Sequence, residues 1–334
     1  MKKIDRPVWT RSLITVATIV GVMLIVGVFY FAVDSTKEPI RERHIKLATF
    51  KTLTVDGLRR NYLSYVPPEL PANSPLMIVF HGSQQNAQSI RAATGYEFED
   101  LALAHKFAIA YPNGYRGNWN DCRVDVHFAA HRRHVNDLAF VQAIIHQYVV
   151  ADHIDPTKVM AVGYSNGGQM VYRLALETPH QVAAIAVIAA SLPAPNNNRC
   201  QPSGVAMPTL IMNGTADPFN PYNGGTVRFF GLNPRGNVLS TRQTAAYFAG
   251  INGQTIPPVI TNLPHRPSSG KTSVTLTDYR QPGKDEVALY TINGGGHVIP
   301  QSVHRPPRLL GPMTHDVDAP QVIWQFFSRS LHLS

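Results

Sequence analysis

Charge is scarce in this sequence. Asp, Glu, Lys and Arg make up 15% of its 334 residues, too few for a charge-driven disordered chain or for the charge-flanked seams of a coiled coil. Its 24 glycines and 26 prolines follow no fixed period, which excludes a collagen-like repeat and points to many turns. RNP-like, helix-turn-helix and zinc-finger patterns are all missing. The formal excess of +9, part of it in Lys2, Lys3, Arg6 and Arg11, therefore suggests a surface near anionic lipid or polymer and not a nucleic-acid partner. Cysteine is limited to Cys122 and Cys200. With none earlier in the chain, a lipid-modified N-terminal cysteine is excluded. Outside the cytoplasm the two could form one disulfide, and inside it they would be ordinary thiols; the sequence alone leaves that open.

Charge is absent altogether from residues 12–33. As a helix, this stretch would extend about 33 Å, enough to cross the roughly 30 Å of a bilayer's hydrocarbon. It ends in Phe29-Tyr30-Phe31-Ala32-Val33, aromatics suited to the interface, where a cleaved signal would end in small residues. The expectation is an uncleaved signal anchor, with residues 1–11 as a cytoplasmic tail, 34–50 as a juxtamembrane linker and 51–334 as one extracytoplasmic domain. If the segment is cleaved, the domain is secreted.

From residue 51 onward the pattern alternates. Thr52 to Val55 and Asn61 to Val66 read as a hairpin around Asp56-Gly57. Short apolar runs at Leu76 to Phe80, Ala108 to Tyr111, Val159 to Tyr164, Ala183 to Ala190 and Thr209 to Asn213 are separated by helical patterns. Phe140, Val141, Ile144, Ile145 and Tyr148 recur at helical spacing between two of them. Buried strands alternating with helices predict an α/β fold with a mainly parallel sheet and helices on both faces. A run at Val287 to Ile292 closes the series before a helix near Gln321 to Ser330.

Gly163-Tyr164-Ser165-Asn166-Gly167 has the form G-x-S-x-G and lies between an apolar strand and a helical pattern through Met170 and Leu174. This is the setting of a nucleophile elbow, where small neighbours permit a sharp turn and the helix N-terminus offers N–H groups to an oxyanion. A serine nucleophile needs a base, and the base an orienting acid, in the chain order Ser, acid, His. Asp217 follows the strand Thr209 to Asn213, and His297 follows Gly294-Gly295-Gly296. These are the expected acid and base, ahead of His304 and His315. The loop Phe80-His81-Gly82-Ser83 is expected to supply the Ser83 N–H to an oxyanion hole shared with the Asn166 N–H. His81 itself is read as structural.

Seven ordered motifs carry a resemblance. Phe80-His81-Gly82, Tyr111-Pro112-Asn113-Gly114 with Trp119, Val135-Asn136-Asp137 with Phe140, Ile154-Asp155-Pro156, Gly163 to Gly168, Gly214 to Pro218 and Gly294 to His297 resemble the polyhydroxybutyrate depolymerase and feruloyl esterase-like group of α/β-hydrolases. The likeness runs from about residue 50 to 330. It implies an envelope or secreted carboxylesterase acting on hydroxyalkanoate polyesters or on acyl groups of plant polysaccharides, with Ser165, Asp217 and His297 as its triad. Three positions depart from that pattern. Ser83 stands where the group often has Cys, Val298 to Pro300 replace a tryptophan that commonly follows the histidine, and Asn136-Asp137 replace a pair of acids.

The function expected is thus a membrane-anchored serine esterase working through an acyl-enzyme, needing no metal or organic cofactor, with an ester substrate as its partner. A serine peptidase on the same fold and a non-catalytic envelope binding protein are the alternatives. Trp119 and Tyr164 are candidate substrate contacts. The segment Pro218 to Pro234, with Phe219, Tyr222, Phe229 and Phe230, either covers the pocket or packs on the sheet edge. His127, His131 and His134 are read as no metal site, since arginines lie among them and no carboxylate stands at ligand spacing.

Overall fold

The computed structural model describes residues 35–36, 42–229 and 231–333. The expected tail and membrane segment (1–11 and 12–33) lie outside them. Among the described residues no helix is long and apolar enough to cross a membrane. A short helix α1 (Glu42–Leu47) leads into strand β1 (Ala48–Val55), so the last part of the stretch read as linker, residues 42–50, is already folded.

β1 turns back into β2 (Leu58–Tyr65) through the two residues Asp56 and Gly57, both at positive φ as a tight hairpin turn requires. The chain continues through β3 (Leu76–Phe80), α2 (Ala87–Ala93), α3 (Glu97–His105), β4 (Ala108–Pro112), α4 (Asp137–Asp152), β5 (Val159–Tyr164), α5 (Asn166–Glu177), β6 (Ala184–Ile188) and β7 (Thr209–Gly214). It then forms α6 (Thr241–Ile251), β8 (Val259–Asn262), β9 (Ser273–Tyr279), β10 (Val287–Asn293) and α7 (Ala319–Ser330). Caps set the helix starts: the Asn136 side chain accepts from Ala139 N at 3.0 Å for α4, and Ser240 with Gln243 forms a capping box for α6.

The large sheet has the order β8-β9-β10-β7-β6-β5-β3-β4-β2-β1. From β10 to β4 every neighbouring pair is parallel, and antiparallel strands flank this block on both sides. The sequence reading stops the sheet at residues 287–292, whereas β9 and β8 extend it past β10. Their run Ser273-Val274-Thr275-Leu276-Thr277 does alternate, and Val274 alone of it is fully buried, so an edge strand with one solvated face lacks the continuous apolar signal of its central neighbours.

β3, β4, β5, β6 and β7 are buried along their whole length. In β3, Leu76, Ile78 and Phe80 enter one core and Met77 and Val79 the other, the two-residue period of a strand covered on both faces. Helices α4, α5 and α6 close the first face through Phe140, Met170 and Phe248; α2, α3 and α7 close the second through Ile90, Phe98 and Phe327. The strand order reverses between β3 and β5, and a doubly wound sheet opens its crevice at the carboxyl ends of the strands flanking such a reversal.

Cys122 and Cys200 form a disulfide across a sequence separation of 78. It joins two loops that already pair through backbone, with Arg199 N donating to Cys122 O and Val124 N to Asn197 O. Closing a loop of that length restricts the unfolded chain by about 4 kcal/mol. Urea unfolding of a Cys122→Ser/Cys200→Ser variant is expected to show a loss of that order against the oxidised protein. Equal unfolding midpoints would contradict it.

Candidate active site

β5 ends at Tyr164 and α5 begins at Asn166, which leaves one residue, Ser165, to make the whole turn. It adopts φ 56° and ψ −117°, a region that penalises any side chain. Two glycines make the turn feasible. A Cβ on Gly163 would stand 2.4 Å from Gly167 O, and one on Gly167 would stand 2.3 Å from Phe80 O. The turn is pinned by Ser165 N donating to Ile188 O at 2.9 Å and by Gln169 N donating to Ser165 O at 3.1 Å.

Two other loops converge on the serine. Residues after β7 carry Asp217, whose side chain is fully buried; its Oδ1 accepts from Phe219 N (2.8 Å) and Asn220 N (2.9 Å). Its Oδ2 lies 2.6 Å from His297 Nδ1. His297 Nε2 lies 2.9 Å from Ser165 Oγ. With a carboxylate at Nδ1, that nitrogen carries the proton and Nε2 presents its lone pair to the hydroxyl, an assignment made from the bonding network. The His297 backbone is clamped as well: its N–H donates to Leu310 O at 2.6 Å and its carbonyl accepts from Tyr164 Oη at 2.7 Å. The ring lies beside Tyr164 (5.2 Å between centroids) and edge-on to Phe219 (5.0 Å).

The loop after β3 forms the facing wall. Among the described residues, no protein acceptor takes the Ser83 N–H, and the Asn166 N–H is one of the unpaired donors of the α5 N-terminus. Both residues line the cleft. The Asn166 side chain is locked from behind, its Oδ1 accepting from Trp119 N (3.0 Å) and its Nδ2 donating to Asp121 Oδ2 (2.7 Å). Trp119 Nε1 donates to His81 O (2.9 Å). His81 Nδ1 donates to Gly82 O (2.7 Å), and Gly114 N donates to His81 Nε2 (2.9 Å). Burial pushes the His81 pKa down to about 4; the Gly82 carbonyl opposes this and Arg60 adds to it. His81 is therefore a neutral structural ring, as read from the sequence.

The expected substrate contact at Trp119 is not realised. Its side chain is fully buried against Phe80 and His81, at centroid distances of 5.2 and 4.9 Å, and does not reach the cleft. It supports the Gly82-Ser83 loop from behind. Tyr164 does line the cleft, and burial, reinforced by Asp217, holds its hydroxyl protonated well above the usual tyrosine range. Asp137 pairs with Arg60 Nη2 at 2.8 Å and accepts from Asn120 N at 2.8 Å, a buried structural role. Burial raises its pKa even against the Arg60 charge. Among the described residues no group of three potential metal ligands comes together; His131 turns to the Asp121 carbonyl at 3.2 Å.

Ser165 and His297 open into one cleft. The segment after Asp217 does cover it, through Phe219, Asn220, Val227, Arg228 and Phe229, while Tyr222 packs inward with its hydroxyl 2.6 Å from Thr291 Oγ1. Phe230 lies outside the described residues. Arg123 and Arg235 also line the cleft. Sequence reasoning missed both, and Asp121 with them, because each sits in a loop without periodicity.

A family model described as "alpha/beta hydrolase fold" matches residues 113–250. A protein of Nocardia uniformis subsp. tsuyamanensis named "Putative esterase NocK" is 28% identical over 278 residues, spanning 78% of this chain and 77% of its own length. Feruloyl esterase D of Neurospora crassa is 25% identical, covering 83% of this chain and 84% of that one. Poly(3-hydroxyalkanoate) depolymerase C of Paucimonas lemoignei is 29% identical over 126 residues, 37% of this chain and 30% of its own. Among solved structures, an acetyl xylan esterase from Aspergillus awamori superposes with a TM-score of 0.52 at 15% identity, over 75% of this chain and 94% of that one. The fold is thus that of the α/β-hydrolases, and the relatives carry the names that the ordered motifs resemble.

The backbone of Ser165 yields a stability test separate from chemistry. Ser165→Gly and Ser165→Ala both delete the hydroxyl, yet only glycine relaxes at φ 56°. Ser165→Gly is expected to unfold about 1–2 kcal/mol later than Ser165→Ala in urea. A more stable alanine variant would refute strain at this turn.

Proposed function

We propose that this chain, with its α/β-hydrolase fold and its relatives among esterases, is a serine-dependent carboxylic ester hydrolase. The observation that carries the proposal is the unbroken line from Asp217 through His297 to Ser165, at 2.6 and 2.9 Å. His297 Nε2 takes the Ser165 proton as Oγ attacks the ester carbonyl. The carbonyl oxygen becomes an oxyanion and accepts hydrogen bonds from the Ser83 and Asn166 N–H groups. Asp217 keeps the imidazole oriented and stabilises the imidazolium. Collapse of the intermediate breaks the bond to the alcohol, which leaves with the proton from His297, and an acyl-enzyme remains. Water then gives a proton to the same nitrogen and attacks the acyl carbon, returning Ser165 and releasing the acid.

The substrates proposed are hydroxyalkanoate esters or feruloyl and acetyl esters of polysaccharides. The names of the relatives support both. Buried Val298 and Ile299 directly after the histidine make that flank aliphatic. We further propose that the catalytic domain works on the extracytoplasmic side, held by residues 12–33. The Cys122–Cys200 disulfide supports an oxidising compartment, and the uncharged 22-residue segment supports the anchor.

Hydrolysis of nitrophenyl acetate, 3-hydroxybutyrate and ferulate by the full-length protein tests the reading. Ser165→Ala is expected to lower kcat by about ten-thousand-fold or more, and Asp217→Asn by about a thousand- to ten-thousand-fold. Retained turnover in folded Ser165→Ala would overturn the mechanism.

A further inference from the structure

Among the described residues, the charged side chains lining the cleft have one sign: Arg123, Arg228 and Arg235 are there, and no described Asp or Glu lines it. Arg123 is neutralised, since Asp121 takes its Nε at 3.0 Å and its Nη2 at 2.7 Å. Arg235 has no such partner. Half-buried, it makes no ion pair among the described residues and gives one side-chain hydrogen bond, from Nη1 to Ser83 Oγ at 3.1 Å. Its guanidinium carbon lies over the rings of Phe128 (4.9 Å) and Phe229 (5.6 Å). These contacts leave most of its five N–H donors for something else. Burial, with Arg123 close by, draws the Arg235 pKa down to about 10 against the pull of Asp121. The group remains cationic at neutral pH, and among the described residues no carboxylate contacts it directly.

We propose that Arg235 forms an anion-binding subsite of the cleft, and that the ester cleaved at Ser165 carries a carboxylate. The inference rests on the esterase reading and narrows its substrate class. A half-buried guanidinium in an apolar wall gains a charge-assisted, often bidentate, pair when a carboxylate enters. Ser83 Oγ fixes one end of the fork beside the oxyanion loop, so the anion is held near the scissile carbonyl. Arg228, exposed at the mouth, adds positive potential along the same path. An ester of a hydroxy acid with its carboxyl group free has this chemistry, as does a monoester of a dicarboxylic acid. A fully esterified polymer interior does not.

The test compares kcat/KM for matched pairs in the full-length protein. One pair is 4-nitrophenyl hydrogen glutarate against its methyl ester, with the anion on the acyl side. The other is 3-acetoxybutanoate against 3-acetoxybutanamide, with the anion on the alcohol side. In at least one pair the wild type is expected to prefer the anion, and Arg235→Gln to reduce that preference by about tenfold or more, with Arg235→Lys recovering part of it. If Arg235 only steadied the oxyanion loop through Ser83, both members of each pair would slow together, and unchanged ratios in both pairs overturn the inference. Should Arg235→Gln fail to fold, inhibition of neutral-ester hydrolysis in the wild type decides. Glutarate inhibiting at least tenfold better than glutaramide supports the subsite, and equal inhibition refutes it. Labelling of Ser165 by a serine-directed phosphonate separates the two levels. Labelling with neutral esters cleaved and ratios unmoved removes the anion subsite alone; no labelling and no hydrolysis removes the esterase reading and the subsite with it.

Discussion

The arrangement depends on one steric constraint, the contact of the β5–α5 turn with the end of β3. Gly167 sits so close to Phe80 O, and Gly163 so close to Gly167 O, that a methyl group at either place would collide with backbone. That closeness puts the first turn of α5 directly behind the loop that leaves β3. The Asn166 and Ser83 N–H groups then face one cleft, although 83 residues separate them in the chain. A looser turn would move the serine away from both the His297 imidazole and the Ser83 N–H. The strained backbone of Ser165 follows from the same constraint, because a single residue must reverse the chain between strand and helix.

Around this turn the support is polar and buried. Asp121 holds Asn166 and Arg123, Asn166 holds the Trp119 backbone, Trp119 holds the His81 carbonyl, and His81 receives the Gly114 N–H. Each group in this run has its partner, as burial demands. Arg123 and Arg199 tie the same network to the disulfide-linked loops, Arg199 through the Asp121 carbonyl at 2.8 Å. Asp121 shows the electrostatic side of the arrangement. Burial alone would raise its pKa, but Arg123 and His131 outweigh that and hold the carboxyl far below its usual range. The stability this contributes is present above the unfolded carboxylate pKa and is lost as pH falls toward the folded one.

The cleft itself is assembled from distant segments, among them the loops after β3 and β5, the stretch from Phe219 to Arg235, and the glycine-rich turn bearing His297. Phe219 has two tasks, since its backbone N–H holds the Asp217 carboxylate and its ring packs on His297. The same segment thus orients Asp217 and His297 and forms the apolar wall over which Arg235 lies. Such coupling links the shape of the pocket to the alignment of Asp217 with His297.

Much of this was legible before folding. Continuous apolar runs marked the buried strands because strands covered on both faces leave no polar alternation, and G-x-S-x-G between strand and helix marked the turn because only glycines fit there. Asp217 and His297 were read as partners of Ser165 because each follows a strand on a turn, and the structure brings the three within hydrogen-bonding distance. What the residues could not reveal was whatever depends on two loops meeting. The Cys122–Cys200 pairing, the retreat of Trp119 behind the Gly82-Ser83 loop, the antiparallel edge of β8 and β9, and the lack of an ion pair for Arg235 among the described residues all belong to that class. Periodicity reports how a segment faces its own core. It carries no signal for loops without a period, whose partners are chosen by the close approach of backbones that only the assembled sheet brings together.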